Sequence, residues 1–210
     1  MDPTRPLAIT ISCQMGSGGA YIGRQLAQRL GFHYHDRESI AKAVEAYLAS
    51  DEDEASREER FQSMWSTYLS FNTFSMENYQ PPLLPFPSTF DMLDVESKVI
   101  ERIAEKEASV IVGRCGFHAL REHANHVAIF LHASGDFRRQ RIRQLYNLSE
   151  EDARDRVAES DRERSNRIQD VSGRKWTDSR PFDLCVDTCR MGIDKSVDLI
   201  LDYLKIRNAG

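Results

Sequence analysis

The chain of 210 residues carries 28 basic and 33 acidic side chains, a net charge of −5, and is 40% hydrophobic. This balance disfavours broad binding to nucleic acid, and the length suits one α/β domain with an embedded insertion. The apolar runs are shorter than the roughly 18 residues of a membrane span, the start does not resemble a secretory signal, and the cysteines form no C-x-x-C pair. We therefore expect a cytoplasmic protein that binds neither nucleic acid nor membrane.

Short apolar runs and helical patterns alternate along the chain. The predicted strands are residues 7–12, 32–35, 110–113, 127–131 and 184–187. Gly31 is placed to end the first helix, and Ser134 and Ser149 are placed to begin two later ones. Because strands that alternate with helices favour a parallel sheet covered on both faces, the sequence predicts a three-layer α/β sandwich with a mostly parallel five-stranded sheet.

Two segments interrupt this alternation. Residues 36–90 contain two helical patterns and then the proline-rich stretch YQPPLLPFPST, which cannot be helical. Residues 147–182 are mainly polar and rich in arginine. Between residues 138 and 180 we count eleven arginines and one lysine, and nine acidic residues lie between 150 and 178. The second segment therefore attracts anions locally without being a polycation.

The first predicted strand leads into a glycine-rich turn and then a helix, which is the layout of a phosphate-binding loop. The candidate nucleotide-binding residues are Gly16, Ser17, Gly18, Gly19 and Ala20. The full motif reads G-x-x-x-x-G-K-[ST]. Aligned on Gly18, this chain has Cys13 for the first glycine, Gly19 for the lysine and Ala20 for Ser or Thr. A plain strand-to-helix turn is therefore the alternative interpretation.

Asp36 and Arg37 follow the second predicted strand, at the edge where α/β sheets bind ligands. The Asp36 carboxylate could coordinate Mg²⁺ or accept a proton from a substrate hydroxyl, and Arg37 could hold an acceptor phosphate. The alternative is a helix cap beside a solvated arginine. His33 and His35 share one strand face, but two histidines alone make a weak metal site.

Three further arginines are candidate ligands of a phosphate. Arg114 follows the third predicted strand in VIVGRCG, and a guanidinium there suits a phosphate or a planar base. Arg164 and Arg167 share one face of a predicted helix, where they could neutralise charge on a transferring phosphoryl group. The alternatives are a surface ion pair for Arg114 and a solvated, salt-bridged helix face for the other two.

Four separated segments, in this order, resemble the cytidylate-kinase-like family of bacterial P-loop proteins: ITISCQMGSGGAYIG, FHYHDRESI, VIVGRCG and FDLCVDTCRMGIDKSVDLI. The resemblance covers residues 9–200 and has no matching motif at 50–90. It implies a nucleoside-monophosphate-kinase fold in one domain. The implied parts are a core (7–35, 91–146 and 183–207), an acceptor-binding insertion (36–90) and an arginine-rich lid (147–182). The family's loop also reads GSGG, whereas authentic cytidylate kinases carry GSGK and a later DGRD, which here is VGRC.

The resemblance implies an ATP- and Mg²⁺-dependent kinase of a small molecule, with a nucleoside monophosphate such as CMP as acceptor. In that hypothesis the glycine loop holds the donor phosphates, and Asp36 organises Mg²⁺ or the acceptor. Arg37 and Arg114 hold the acceptor phosphate, and Arg164 and Arg167 close over the transferring group. Two other hypotheses remain open: a module that binds a nucleotide without turnover, and a kinase of a non-nucleotide metabolite. The sequence does not indicate an oligomeric state.

Overall fold

The computed structural model describes residues 5–49 and 90–209, and the elements are numbered within those ranges. The strands are β1 (Ala8–Cys13), β2 (His33–His35), β3 (Ser109–Val112), β4 (His126–His132) and β5 (Leu184–Asp187). The helices are α1 (Gly19–Leu30), α2 (Arg37–Ala49), α3 (Phe90–Lys106), α4 (Gly116–Ala119), α5 (Gly135–Tyr146), α6 (Glu150–Ser172), α7 (Thr188–Met191) and α8 (Ile193–Ala209). Most of the predicted insertion at 36–90, including its proline-rich stretch, lies outside the described residues.

The five strands form one sheet in the order β2–β3–β1–β4–β5, and every neighbouring pair is parallel. This confirms the predicted sheet, and each predicted strand agrees with the observed one to within a residue at either end. The parallel arrangement has a direct consequence for function, because the carboxyl ends of all five strands meet at one edge of the sheet.

The sheet is buried on both faces because side chains alternate along each strand. In β1, Ile9 and Ile11 point to one face and Ala8 to the other. The first face packs against Ile22 and Leu26 of α1 and Val197, Ile200 and Leu204 of α8. The opposite face packs against Ile40 and Val44 of α2 and Val99, Ile100 and Ile103 of α3. These layers confirm the predicted three-layer sandwich.

The predicted helix ends agree with the structure. Gly31 ends α1 in the left-handed conformation, with φ of 68°. Ser134 caps α5 by accepting a hydrogen bond from the backbone N–H of Phe137, and Ser149 caps α6 in the same way through Asp152, at 3.1 Å. Each cap satisfies a backbone group that the helix itself leaves without a partner.

The arginine-rich helix α6 is anchored to the core near both of its ends. Near its start, Ala153 and Val157 are buried against Ile142 of α5. Near its end, Ile168 packs with Trp176 and Phe130. In the described ranges, no helix combines the length and the apolar character that crossing a membrane requires.

Candidate active site

The glycine loop between β1 and α1 brings the backbone close to neighbouring groups. Gly16 and Gly18 have φ of 86° and 89°, a conformation that other residues adopt only with strain. A side chain at Gly16 would place its Cβ 2.7 Å from the carbonyl oxygen of Arg138. Gly18 is the N-cap of α1 and contributes no capping side chain, so the loop leads into a helix N-terminus suited to an anion.

Hydrogen bonds to β4 hold this loop in shape. The Ser17 hydroxyl donates to the carbonyl oxygens of Gln14 (2.7 Å) and Leu131 (3.3 Å), and the Gln14 N–H donates to Leu131 at 3.0 Å. The Gln14 side-chain oxygen accepts a bond from the N–H of Ala133. Ser17 is fully buried, so its hydroxyl stabilises the loop, and its contact with a phosphate stays a prediction.

Cys13 and Gly19 differ from the phosphate-loop motif for one shared reason. A Cβ at position 19 would lie 2.4 Å from the Cys13 Sγ and 2.7 Å from the Cys13 Cβ. The Cys13 side chain therefore occupies the space that the first carbons of a lysine at position 19 would need. The motif has glycine at the position of Cys13 and lysine at the position of Gly19. In this chain the larger side chain stands at position 13 and the glycine at position 19.

Asp36 lies where the sequence predicts it, directly after β2, but its carboxylate already has protein partners. Its Oδ1 accepts hydrogen bonds from the backbone N–H groups of Glu38 (3.1 Å) and Ser39 (3.2 Å), so it caps α2. Its Oδ2 lies 3.7 Å from the guanidinium of Arg24, which stacks on the ring of Tyr34. The helix-cap alternative describes this geometry, and the roles of Asp36 toward Mg²⁺ and acceptor stay predictions.

Glu96 of α3 bridges two of the predicted site arginines. One carboxylate oxygen pairs with Arg114, and the other accepts a bond from Arg167 at 2.9 Å. The Glu96 side chain is only 3% exposed, that of Arg114 is 8% exposed and that of Arg167 is 20% exposed. Arg114 is therefore a buried ion-pair partner, whereas the sequence left a surface ion pair as the alternative.

Arg37 lies in the same electrostatic neighbourhood as these arginines. Burial lowers the pKa of Arg37, and the charges of Arg167 and Arg164 lower that pKa further, opposed by Glu163. For Arg114, burial followed by the charges of Arg167 and Arg37 lowers the pKa to about 9. Arg114 and Arg167 share one carboxylate, and the charges of Arg37 and Arg164 act on the same group of residues. We call these four arginines the cluster, and their roles toward a phosphate stay predictions.

Arg164 connects this cluster to the glycine loop. Burial raises the pKa of the Cys13 thiol, and the charge of Arg164 acts against that rise. Arg164 follows Asp161 by one helical turn, and the partner of Asp161, Arg138, packs beside the loop at Gly16. Arg164 also donates a hydrogen bond to Ser160 on its own helix. Along α6, Arg164 is thus the arginine associated with the loop, and Arg167 is the one associated with Arg114 and Glu96.

The sequence analysis did not identify Glu96, Arg138 or Asp161. Arg138 is buried beside the loop and makes two 2.9 Å hydrogen bonds with the Asp161 carboxylate of α6. This pair joins α5 to α6 over the glycine loop. A signal for Glu96 did exist, because it precedes the buried residues Val99 and Ile103 at helical spacing and is thus an acid on an apolar stripe. The Arg138–Asp161 pair has no local signal, since 23 residues separate its members.

His33 and His35 share a face of β2, as predicted, and both contact one carboxylate. Their Nε2 atoms lie 3.3 Å and 3.2 Å from the two oxygens of Glu107. Burial lowers the pKa of His35, which is fully buried. Within residues 5–49 and 90–209, no group of three His, Cys, Asp or Glu side chains has the arrangement of a metal site.

Comparison with known proteins relates this site to a family. The family model described as the cytidylate kinase-like family matches residues 8–190. A cytidylate kinase from Pyrobaculum islandicum is 25% identical over 198 residues, which cover 94% of this chain and 92% of that protein. An S-adenosylmethionine-dependent nucleotide dehydratase from Lacinutrix mariniflava is 23% identical over 201 residues, which cover 96% of this chain. The chain spans only 36% of the length of that second relative.

One solved structure shares the fold over nearly the whole chain. The crystal structure of an uncharacterized protein from Eubacterium ventriosum has a TM-score of 0.70 and 22% identity, and the alignment covers 95% of this chain and 99% of that one. This similarity shows that the two chains share a fold.

The packing of Cys13 against Gly19 makes a prediction about stability. Gly19→Ala should lower the free energy of unfolding by about 1–3 kcal/mol, because the new methyl group overlaps the Cys13 side chain. In a Cys13→Gly background the same change should cost much less, since the space is then empty. Denaturant unfolding of the four proteins of this double-mutant cycle measures the coupling. Equal costs of Gly19→Ala in both backgrounds would contradict the exchange of space.

Proposed function

The chain belongs to the cytidylate kinase-like family, and from this premise we propose that it transfers a phosphoryl group from ATP to a small acceptor. A nucleoside monophosphate such as CMP is the favoured acceptor. The observation that carries the proposal is the pairing, along one helix, of two anion sites. Arg164 of α6 follows by one turn Asp161, whose partner Arg138 packs beside the glycine loop. Arg167, three residues on, shares the Glu96 carboxylate with Arg114.

In this proposal the glycine loop and the first turn of α1 bind the donor phosphates through backbone N–H groups. The arginine cluster holds the acceptor phosphate. Its four guanidinium groups exceed the nearby carboxylates, Glu96 and Glu163, by two positive charges. Because its second pKa is about 6, a phosphate monoester carries about 1.5 to 2 negative charges at neutral pH. The charge of the cluster therefore suits a phosphorylated acceptor better than a neutral one.

Mg²⁺ would enter with ATP. In kinases the phosphates of the nucleotide and one or two protein carboxylates hold this ion. The described residues offer a limited fit. Asp36 is the carboxylate predicted to hold the ion or the acceptor hydroxyl, and its oxygens already cap α2 and pair with Arg24. Any contact of Asp36 with Mg²⁺ or acceptor would compete with these interactions. The ion, when bound, would neutralise charge on the phosphates.

The missing loop lysine requires a cation from another element, because backbone N–H groups contribute only dipoles. Among the arginines near the loop, Arg138 is already bonded through both terminal nitrogens to Asp161, and Arg167 is bonded to Glu96. Arg164 bonds the neutral hydroxyl of Ser160 and so retains its full charge for a ligand. We therefore assign to Arg164 the part of the lysine in stabilising the transferring group.

A second candidate function is nucleotide binding without turnover. It is favoured by the absence of the loop lysine and by the engagement of the Asp36 carboxylate within the protein. A third candidate function is phosphorylation of a non-nucleotide metabolite. It is favoured by the composition of the cluster, because its four arginines suit a phosphate group and, among the described residues, do not indicate recognition of a nucleotide base.

A turnover assay across acceptors tests the proposal directly. We expect that ATP and Mg²⁺ with a panel of nucleoside monophosphates and phosphorylated metabolites gives product with CMP, identified as CDP by mass spectrometry. Product with a non-nucleotide acceptor alone would favour the third function. Binding of ATP with no product from any acceptor would replace the kinase proposal with the binding module.

Binding of ATP at the loop is tested by comparing two glycines of similar backbone conformation. With Mg²⁺–ATP at about 100 times Kd, wild type should gain roughly 2.7 kcal/mol of stability. Gly18→Val should lose this gain, because the side chain forces the loop backbone away from φ of 89°. Gly31→Val introduces similar strain at φ of 68° at the far end of α1 and should keep the gain. Calorimetric unfolding with and without ligand measures both, and equal responses would exclude the loop.

The role of Arg164 is tested against a neighbouring arginine on the same helix. Arg164→Ala should lower kcat by about 10³-fold, the scale of an arginine that stabilises a transferring phosphoryl group, with a much smaller change in ATP affinity. Arg164→Lys should restore little, because a point charge does not reproduce the planar guanidinium. Arg162 is exposed, and Arg162→Ala should leave kcat near wild type. Equal kcat values for the two alanine variants would contradict the assignment.

A further inference from the structure

Glu96 neutralises two of the arginines that the proposed acceptor site needs. It lies between Arg114 and Arg167 and gives one carboxylate oxygen to each. A carboxylate in this position makes the same kind of charge-assisted contacts that a phosphate would make. An incoming anion therefore meets arginines that already have a counter-ion.

The two halves of this bridge differ in accessibility. The side chain of Arg114 is 8% exposed, and that of Arg167 is 20% exposed. The Nε of Arg114 is buried and has no hydrogen-bond partner within the described part of the chain. The link from Glu96 to Arg167 is the half that solvent and ligand can reach.

We propose that Glu96 is an internal counter-anion of the acceptor site, which holds Arg114 and Arg167 until a phosphate monoester replaces it on Arg167. The site rests on the proposed function, and the ligand class is a phosphate group on a small molecule. After the exchange, Glu96 remains paired with Arg114, and Arg167 pairs with the phosphate. No buried charge is left without a partner at either stage, which is the condition for a low-cost exchange.

Inorganic phosphate is the probe for this exchange, and isothermal titration calorimetry the measurement. Glu96→Gln removes the competing charge with little change in shape. Phosphate should then bind about tenfold to a hundredfold more tightly than to wild type, the range expected for a charge-assisted hydrogen bond. The double variant Glu96→Gln/Arg167→Ala should lose this gain. Phosphate bound at the glycine loop would be common to all variants and would not produce the difference.

Glu163→Gln is the matched control. Glu163 is exposed on α6 and acts on the same arginines, since its charge raises the pKa values of Arg37 and Arg167. It carries the same charge as Glu96, and its removal should change phosphate affinity by about threefold at most, as for exposed charges in general. Equal gains for Glu96→Gln and Glu163→Gln would overturn the proposal and leave only a general effect of net charge.

Stability supplies a second measurement, because Glu96→Gln leaves Arg114 and Arg167 without their counter-ion. In phosphate-free buffer its Tm should fall, and phosphate should restore more stability than it adds to wild type. If Glu96→Gln does not fold without phosphate and folds with it, the proposal is supported. Glu96→Asp, which keeps the charge but is too short to bridge both arginines, should show an intermediate gain. If neither variant responds to phosphate more than Glu163→Gln does, the proposal is wrong.

These experiments separate the inference from the proposed function, since none of them measures turnover. An absence of product across the acceptor panel would remove the kinase and leave the Glu96 exchange in place as part of a binding site. An active kinase in which Glu96→Gln and wild type bind phosphate equally would remove the exchange alone.

Discussion

The parallel pairing of all five strands is the constraint on which the candidate site depends. It directs the carboxyl ends of β1, β2 and β3 to the same edge of the sheet. The glycine loop follows β1, Asp36 and Arg37 follow β2, and Gly113 and Arg114 follow β3. Groups that are far apart in the chain therefore meet without any long-range motif. The sheet is buried on both faces, because residues of β1 and β3 pack against helices on either side of it.

Charge compensation organises the groups that meet there. Burying several guanidinium groups together is costly unless carboxylates or ligands accompany them. Glu96 serves Arg114 and Arg167, and Asp161 serves Arg138. These ion pairs do more than hold the site together, because both involve residues of α6 and so fix this helix against the core. Packing of its two ends supports the same placement, which gives the arginines of α6 defined positions.

The glycine loop shows how a motif can change without loss of the local fold. Cys13 fills the space that opens when position 19 has no side chain, and the loop keeps its hydrogen bonds to β4 through Ser17 and Gln14. Because the Cys13 side chain fills this space, the turn keeps its shape although the lysine is absent. In the proposed function, the positive charge that the loop lacks comes from Arg164 of α6.

The sequence by itself determined the five strands, the helix ends at Gly31, Ser134 and Ser149 and the place of the glycine loop, because period-2 and period-3.6 patterns and cap residues act locally. It also named Arg114 and Arg167, which share one carboxylate in the structure. It did not indicate the short helices α4 and α7. Only the tertiary structure decided their partners. Glu96 and Arg167 lie 71 residues apart, and their contact depends on how α3 and α6 pack on the sheet. Likewise, the overlap that a side chain at position 19 would make with Cys13 depends on the path of the chain between Cys13 and α1. The separation of these two residues in the sequence does not show that they lie in contact.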